Sequence, residues 1–442
     1  MKIRSLVLGS VAAAGLSTAG YAADLGVLTS LDVCDQLGLS GLTISSDTNC
    51  LQISGGVEYE FRWGNYAPGA LLVNTSENGL LATEAFNVPD DGVGAGGLDN
   101  DWHSKVKAWV KFVGTAASDF GPASAVIKLQ QKQYSIITNE TDFSSGSGNA
   151  GVVIDEAYVS VGDSTVIMAG KKGSIMNFSN DEPLNFLGLF NSENVDKGVK
   201  WGTAAAIGDG GHVIQITTDL GNGVVLAGGL EKLDGAGTTA IGTPTSAGTA
   251  FGVISYAGDG IAAHLTVAAA GVLDGVVESW GYHAGFAGTF DVVKFVAAIA
   301  GDNSGYWNGL ASAAATFDMF TLAASVEAAN TTAGTDYGFG ISGTAAVTDT
   351  VSVNLGGRWY HDASGNDAYQ VAAQLVAAVT ETITLTGEVG LYDSSLNTAS
   401  DTFYGAATVA WAPGGGFTTS LKGEAYSNGA YRATFKAAKT FE

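Results

Sequence analysis

Basic side chains are the residues of this chain whose types and spacing could do chemistry together. Lys105, Lys107 and Lys111 are an even number of residues apart, and so are Lys128 and Lys132. Successive side chains of a β-strand point to opposite faces, so each set would lie on one face of its strand. Ammonium groups held on one face create a positive field that acts on nearby ions. The spacing therefore predicts an electrostatic surface.

The basic residues are also segregated along the chain. Only two occur between positions 201 and 357, and most of the others fall in the first five and last two predicted strands. If the sheet closes, the last strand pairs with the first, and these residues form one basic wall inside it. The alternative is a scatter of polar-face residues at different heights. The predicted wall comprises Arg62, Lys105, Lys107, Lys111, Lys128, Lys132, Lys422, Arg432 and Lys436.

Residues 173–198 mix apolar and acidic side chains in a way that is unusual for a loop in water. Burial stabilises apolar side chains, so this segment favours folding into a lumen and packing on the inner wall. Charged rings and narrowing are the means by which pores select solutes. We therefore predict a constriction loop; an extracellular loop that makes a subunit contact is the alternative. The acids expected to face the basic wall are Asp181, Glu182, Glu193 and Asp196.

Cysteine and histidine usage argues against metal or catalytic chemistry. Cys34 and Cys50 are the only cysteines, and no histidine lies near them, so a disulfide is favoured over a metal site. None of the five histidines stands in a GxSxG or HExxH context, although a dispersed triad stays open. We expect no enzyme activity and no cofactor, apart from divalent cations at acidic loops such as 66–99.

Residues 1–22 resemble a secretory signal peptide. A short basic start precedes an apolar stretch at 6–14, which is too short to span a bilayer as a helix, and a small-x-small site at 20–22. An N-terminal membrane helix is the alternative. The net charge of −24 disfavours nucleic acid as a partner, and 63 glycines with only 6 prolines do not indicate disorder.

Alternation of apolar and polar residues indicates the elements that position these groups. In residues 51–63, odd positions from Leu51 to Trp63 are mostly apolar and even positions mostly polar. The pattern recurs in about twenty segments, one of which, 199–220, is irregular at 208–211. Short turns alternate with longer connections at 66–99, 137–151, 173–198 and 233–248, as in outer-membrane barrels. An even number of strands places both termini on the short-turn rim.

The chain resembles the general porins of alphaproteobacteria at particular motifs. Val33-Cys34-Asp35 and Thr48-Asn49-Cys50-Leu51 run into a first strand with Gly-x-Val-x-Tyr, and Asp155-Glu156-Ala157-Tyr158 precedes a short hairpin. The resemblance implies a homotrimer of water-filled barrels, with 173–198 as the constriction loop. Two features depart from the family: its usual strand number is about sixteen, and Glu442 follows Phe441 where such porins end in Phe.

These observations predict an all-β, transmembrane, antiparallel up-and-down β-barrel formed by residues 23–442, with 23–50 as an N-terminal segment. The expected function is passive diffusion of small hydrophilic solutes and ions across the Gram-negative outer membrane, after export through the periplasm. Lipid, lipopolysaccharide and further copies of the chain are the expected partners. The alternatives are a channel specific for one sugar, amino acid or anion, a barrel enzyme and a secreted adhesin. No aromatic ladder on a predicted lumen face supports a sugar channel, and the strongly acidic total charge predicts a weak preference for cations.

Overall fold

The structure, a computed structural model, describes residues 32–65, 100–135, 151–176, 182–190, 210–234, 248–277, 279–331, 334–395 and 401–442. Most of these residues lie in antiparallel strands. The predicted signal peptide at 1–22 and the acidic loop at 66–99 lie outside the described residues. None of the helices in the described part is long and apolar enough to cross a membrane.

A short helix, α1 (Asp32–Gln36), precedes the strands, and one 3-10 turn spans Val272–Asp274. Within the described residues the strands are β1 (Thr43–Ser45), β2 (Asn49–Asn65), β3 (Asn100–Ala116), β4 (Ala123–Ser135), β5 (Val153–Gly162), β6 (Thr165–Lys172), β7 (Gly211–Gly221), β8 (Val224–Glu231), β9 (Thr249–Gly258), β10 (Ile261–Ala270), β11 (Ser279–Phe290), β12 (Val293–Asp302), β13 (Trp307–Phe317), β14 (Phe320–Thr331), β15 (Gly334–Thr348), β16 (Val351–His361), β17 (Asp367–Ala378), β18 (Ile383–Ser394), β19 (Thr402–Gly414), β20 (Phe417–Tyr426) and β21 (Tyr431–Phe441).

Strands β2 to β21 form a closed barrel. Each pairs with the next along the chain, and β21 returns to β2 in a register that runs from Gly55↔Phe441 to Asn65↔Tyr431. Closure pairs β2 and β21, the two strands that would otherwise be the edges of the barrel sheet, and so removes the row of unsatisfied amides and carbonyls that an open sheet exposes. The prediction of an all-β barrel of about twenty strands is confirmed, and the number usual for the resembled family does not apply.

The N-terminal segment completes the hydrogen bonding of β2. β21 pairs with β2 only from Gly55 onward, and β1 pairs with the beginning of the same strand, where Ser45 lies opposite Cys50. The predicted disulfide between Cys34 and Cys50 is present, with the two Cα atoms 5.0 Å apart. It ties α1 to the seam at which the barrel closes.

Connections of different length define the two rims of the barrel. Tight turns follow the odd-numbered strands from β5 onward, and Asp259, Asp291 and Asp318 adopt φ values of 50°, 54° and 51° in them. Asp tolerates this left-handed region better than most residues, because its short side chain bonds nearby backbone. The N-terminal end of β2 and the C-terminal end of β21 both lie on this short-turn rim, as predicted. β7 is described from Gly211, so the earlier part of the predicted strand 199–220 lies outside the described residues.

The barrel wall has an apolar outer face and a polar inner face. Leu421 on β20 points outward and is 55% exposed, whereas its neighbour Lys422 points inward and contacts Glu424. The same alternation continues around the sheet through the strand registers, since paired residues share a face. The outer surface is therefore the one that would meet lipid, and the inner surface the one that would meet water.

Two adjacent positions on β20 test this assignment of faces. Leu421→Lys should lower the free energy of unfolding in lipid vesicles by about 2–4 kcal/mol, the cost of a cation near the middle of a bilayer. Ser420→Lys, one residue away on the inner face, should cost little. Equal costs for the two variants, measured by urea titration, would contradict the assignment.

Candidate functional site

Residues 182–190, named here the inward segment, lie inside the barrel. The amide of Leu184 donates to Oγ of Ser312 on β13 over 2.9 Å, and the amide of Phe186 donates to Oγ of Ser342 on β15 over 3.0 Å. Buried backbone amides need partners, and these inner-face serines supply two. The structure thus places the described part of the predicted loop 173–198 against the inner wall.

Glycines on β15 and β16 make room for the inward segment. A Cβ at Gly340 would clash with Nδ2 of Asn185, and a Cβ at Gly356 would lie 3.1 Å from Cδ1 of Phe186. Glycine weakens the interior of a strand and often marks the close approach of another backbone. A Cβ at Gly338 would also lie 3.2 Å from Cδ1 of Phe190. Glycines at alternate positions of β15, Gly338 and Gly340, are therefore a sequence signal for this docking groove that the pattern of apolar and polar residues does not contain.

Arg358 on β16 anchors the inward segment by its backbone. The residue is only 2% exposed. Its Nη1 donates to the carbonyl oxygen of Leu187 and, over 3.3 Å, to that of Leu189. Nε and Nη2 donate to Oε1 of Gln370 over 3.0 and 2.6 Å. The planar guanidinium has donors in a fixed fork, so one side chain can hold the segment and the wall together.

Gln370 extends this anchor into a hydrogen-bonded network across the wall. Its Nε2 donates to the hydroxyl of Tyr404 over 2.8 Å, and that hydroxyl donates to Oε1 of Glu388 over 3.0 Å. Oε2 of Glu388 accepts from Nε2 of Gln374, also over 3.0 Å. Unsatisfied buried charges are costly, but here the guanidinium and the carboxylate both hold hydrogen-bond partners. The network fixes the geometry of strands β16 to β19 beneath the segment.

Apolar packing adds to the attachment. Leu187, Leu189 and Phe190 are buried, and the ring centroid of Phe190 lies 4.8 Å from that of Tyr360. Leu189 packs in a cluster with Leu310. Burying a leucine or phenylalanine side chain contributes about 1.5–3 kcal/mol, so these residues stabilise the docked segment together.

Four tyrosines share the inner face near the inward segment, which the sequence alone did not reveal. Tyr360, Tyr392, Tyr404 and Tyr426 belong to one buried cluster with Leu187. Their register places Tyr404 opposite Tyr426, and the rings lie 6.2 Å apart. Because all four are buried, they pack against the segment and expose little ring surface to the lumen.

The lumen therefore has a packed side and an open side. On the packed side, Gln370 and Asn308 have no exposed surface. On the open side, the side chains of Glu58 and Lys436 are 47% and 57% exposed. Any continuous water path along the described residues thus runs beside the strands near the closing seam.

All nine residues of the predicted basic wall lie on this open side, on the inner faces of β20, β21, β2, β3 and β4. The registers bring them together: Lys436 lies opposite Glu60, which lies opposite Lys105, and Lys107 lies opposite Lys132. The wall is not purely basic. We use the name charged wall for the nine basic residues together with the carboxylates among them. These carboxylates are Glu58, Glu60, Asp155, Glu156 and Glu424.

Ion pairs order the charged wall. Nζ of Lys128 lies 2.7 Å from Oδ2 of Asp155, and Nε of Arg432 lies 2.7 Å from Oε2 of Glu424. Nζ of Lys107 is 3.3 Å from Oε1 of Glu58. The pairs of Lys128 and Lys107 are partly exposed and add little stability, so their main effect is to hold long side chains in place along the wall. The pair of Arg432 with Glu424 is nearly buried, since the side chains are 10% and 1% exposed.

The acids predicted to face the wall are only partly described. Glu182 is exposed at the start of the inward segment, while Asp181, Glu193 and Asp196 lie outside the described residues. Their role in selection stays a prediction, as does that of the basic wall.

Among the described residues, no group of three or more His, Cys, Asp or Glu could hold a metal ion. Two histidines of the packed side meet directly, with Nε2 of His264 2.8 Å from Nδ1 of His283, and both are buried. Divalent cations at the acidic loops stay a prediction.

No family model matches the chain, and no curated protein matches it. Solved structures do match. A loop-deletion mutant of OmpT, an outer membrane protein of Vibrio cholerae, is 10% identical over 89% of this chain and all of its own, with a TM-score of 0.40. The anion-selective porin from Comamonas acidovorans is 12% identical over 89% of this chain and 100% of its own, with a TM-score of 0.37. OccAB4 of Acinetobacter baumannii is 10% identical over 88% of this chain and 98% of its own, with a TM-score of 0.47. Such distant likenesses leave the assignment of function to the barrel's own residues.

Replacing the anchor tests whether it holds the inward segment. Arg358→Gln removes the donors to two carbonyls, and each unsatisfied buried group costs about 1–3 kcal/mol. The amides of Leu184 and Phe186 should then exchange hydrogen at least roughly tenfold faster. Arg432→Gln makes the same charge change on the open side and should leave these two amides unaffected. Equal exchange in both variants would exclude the anchoring role.

Proposed function

We propose that this protein is a pore of the Gram-negative outer membrane through which small hydrophilic solutes and ions diffuse passively. The observation that supports this proposal is the two-sided lumen, in which the inward segment fills one side and a solvated charged wall lines the other. A barrel whose interior were only a packed core would bury its charges or lack them, because unpaired buried charge is costly. The exposed side chains of Glu58 and Lys436 favour water along this wall.

The outer surface supports a membrane location. Exposed aromatic side chains lie near both ends of the strands: Phe290 and Phe317 beside the short turns, Trp280 and Phe403 toward the other rim. Between them the outward residues are apolar, as Leu421 and Val389 illustrate. An apolar band between two aromatic girdles is typical of outer-membrane barrels.

The inward segment gives the pore its narrowing. It is held by hydrogen bonds to Ser312, Ser342 and Arg358 on three different strands and by buried leucines. A segment attached at this many points is a fixed part of the lumen, so it limits the cross-section for every solute. Unselective diffusion is favoured over sugar-specific transport because the inner tyrosines of the cluster are buried.

Homotrimer formation, contact with lipopolysaccharide and export through the periplasm belong to the same proposal and rest on the sequence. The absence of enzyme activity is likewise an expectation. A hydrolase assay of the refolded protein addresses it, since sustained turnover would contradict the pore.

Single-channel recording in planar bilayers tests the proposal. The purified protein should insert in discrete conductance steps, in threes if the trimer forms. Replacing residues 182–190 by a Gly-Ser linker of the same length should raise the conductance of each step by roughly twofold or more, because the narrowing is removed. Replacing residues 271–277 in the same way changes a connection at the rim and should leave the conductance unchanged. Unchanged conductance in the first variant would reject the constriction.

A further inference from the structure

We infer that the charged wall makes the passage selective for small anions. This inference rests on the proposed pore and specifies which solutes it favours. On strands β20, β21 and β2 to β5, among inner-face residues whose side chains are described, nine cations stand against five carboxylates. The wall therefore carries an excess of positive charge although the whole chain has a net charge of −24.

The arrangement of the lysines is the stronger observation. Lys107 lies directly opposite Lys132, and Lys111 directly opposite Lys128, on the neighbouring strands β3 and β4. Like charges directly opposite each other destabilise a sheet. We name these four residues the lysine block. A like-charge arrangement of this kind offers no gain to folding, whereas rings and rows of lysine are the means by which pores attract anions.

Neighbouring carboxylates hold the block in position without cancelling the whole wall. Nζ of Lys107 lies 3.3 Å from Glu58 on β2, and Nζ of Lys111 lies 3.8 Å from Glu156 on β5. Nζ of Lys128 lies 2.7 Å from Asp155 on β5 and over the ring of Trp109, 5.7 Å from its centroid. The side chains of Lys107, Lys111 and Lys128 are 24–33% exposed, so an anion in the passage can approach their ammonium groups.

Asp163, the acid of the tight turn between β5 and β6, is too far along the wall to reverse the field at Lys128 at moderate salt. Asp163 lies in a tight turn at the short-turn rim, and Lys128 is five residues from the start of β4 at that rim. Five residues of strand span roughly 17 Å, which exceeds the screening length of about 8 Å at physiological ionic strength. The preference for cations predicted from the sequence rested on the total charge of the chain. Ions in the passage respond to the nearest charges instead.

The reversal potential across a planar bilayer in a KCl gradient tests this inference with the full-length protein. The permeability ratio of chloride to potassium should exceed one. Lys107→Gln combined with Lys132→Gln should lower it by roughly twofold or more, since two cations leave the passage. Lys171→Gln combined with Lys439→Gln is the matched control, because these lysines are on the outer face, and it should leave the ratio unchanged.

The outcomes separate the two proposals. Absence of conductance steps in the natural protein would refute the pore, and the anion path with it. Open channels with a ratio below one, or an equal effect of both double variants, would refute the anion preference alone. If the lysine double variant fails to insert, Glu58→Gln decides instead: loss of a carboxylate from the wall should raise the ratio, and a fall would overturn the inference.

Discussion

The contact of the Arg358 guanidinium with the carbonyl groups of Leu187 and Leu189 is the interaction on which the interior depends. A backbone folded into a lumen leaves its hydrogen-bonding groups without strand partners. One guanidinium supplies donors both to the segment and to Gln370, which continues into the wall. Without this cation, the carbonyls would need water at a place where the leucines exclude it.

The two sides of the lumen follow from that attachment. The segment lies over glycines and buried tyrosines on one side, so the remaining cross-section lies beside the strands at the closing seam. Those strands carry most of the inner-face cations among the described residues, and the pairing of β21 with β2 brings the first and last strands of the barrel together there. Barrel closure thus assembles a surface that neither end of the chain contains alone.

The sequence could predict the strands because each one separates an apolar surface from a polar surface with period two. It also predicted the faces of residues such as Lys107 and Arg62. It could not predict which residues lie opposite each other: Lys107 meets Lys132 only through the register of β3 with β4. The role of Arg358 could not be predicted because its partner Leu187 is 171 residues away in the sequence. The alternation of apolar and polar residues predicts the face on which a side chain lies. It predicts neither the position of that side chain along the barrel axis nor its partner on the adjacent strand.

Cysteine accessibility in the protein reconstituted in planar bilayers tests the two-sided lumen most directly. The natural cysteines are joined in a disulfide, so an introduced thiol can be followed alone. A membrane-impermeant thiol reagent should modify Ser420→Cys on the open side rapidly and change the current. It should leave Ala372→Cys, which is buried on the packed side, unmodified. Equal modification rates at the two positions would contradict a lumen divided by the inward segment.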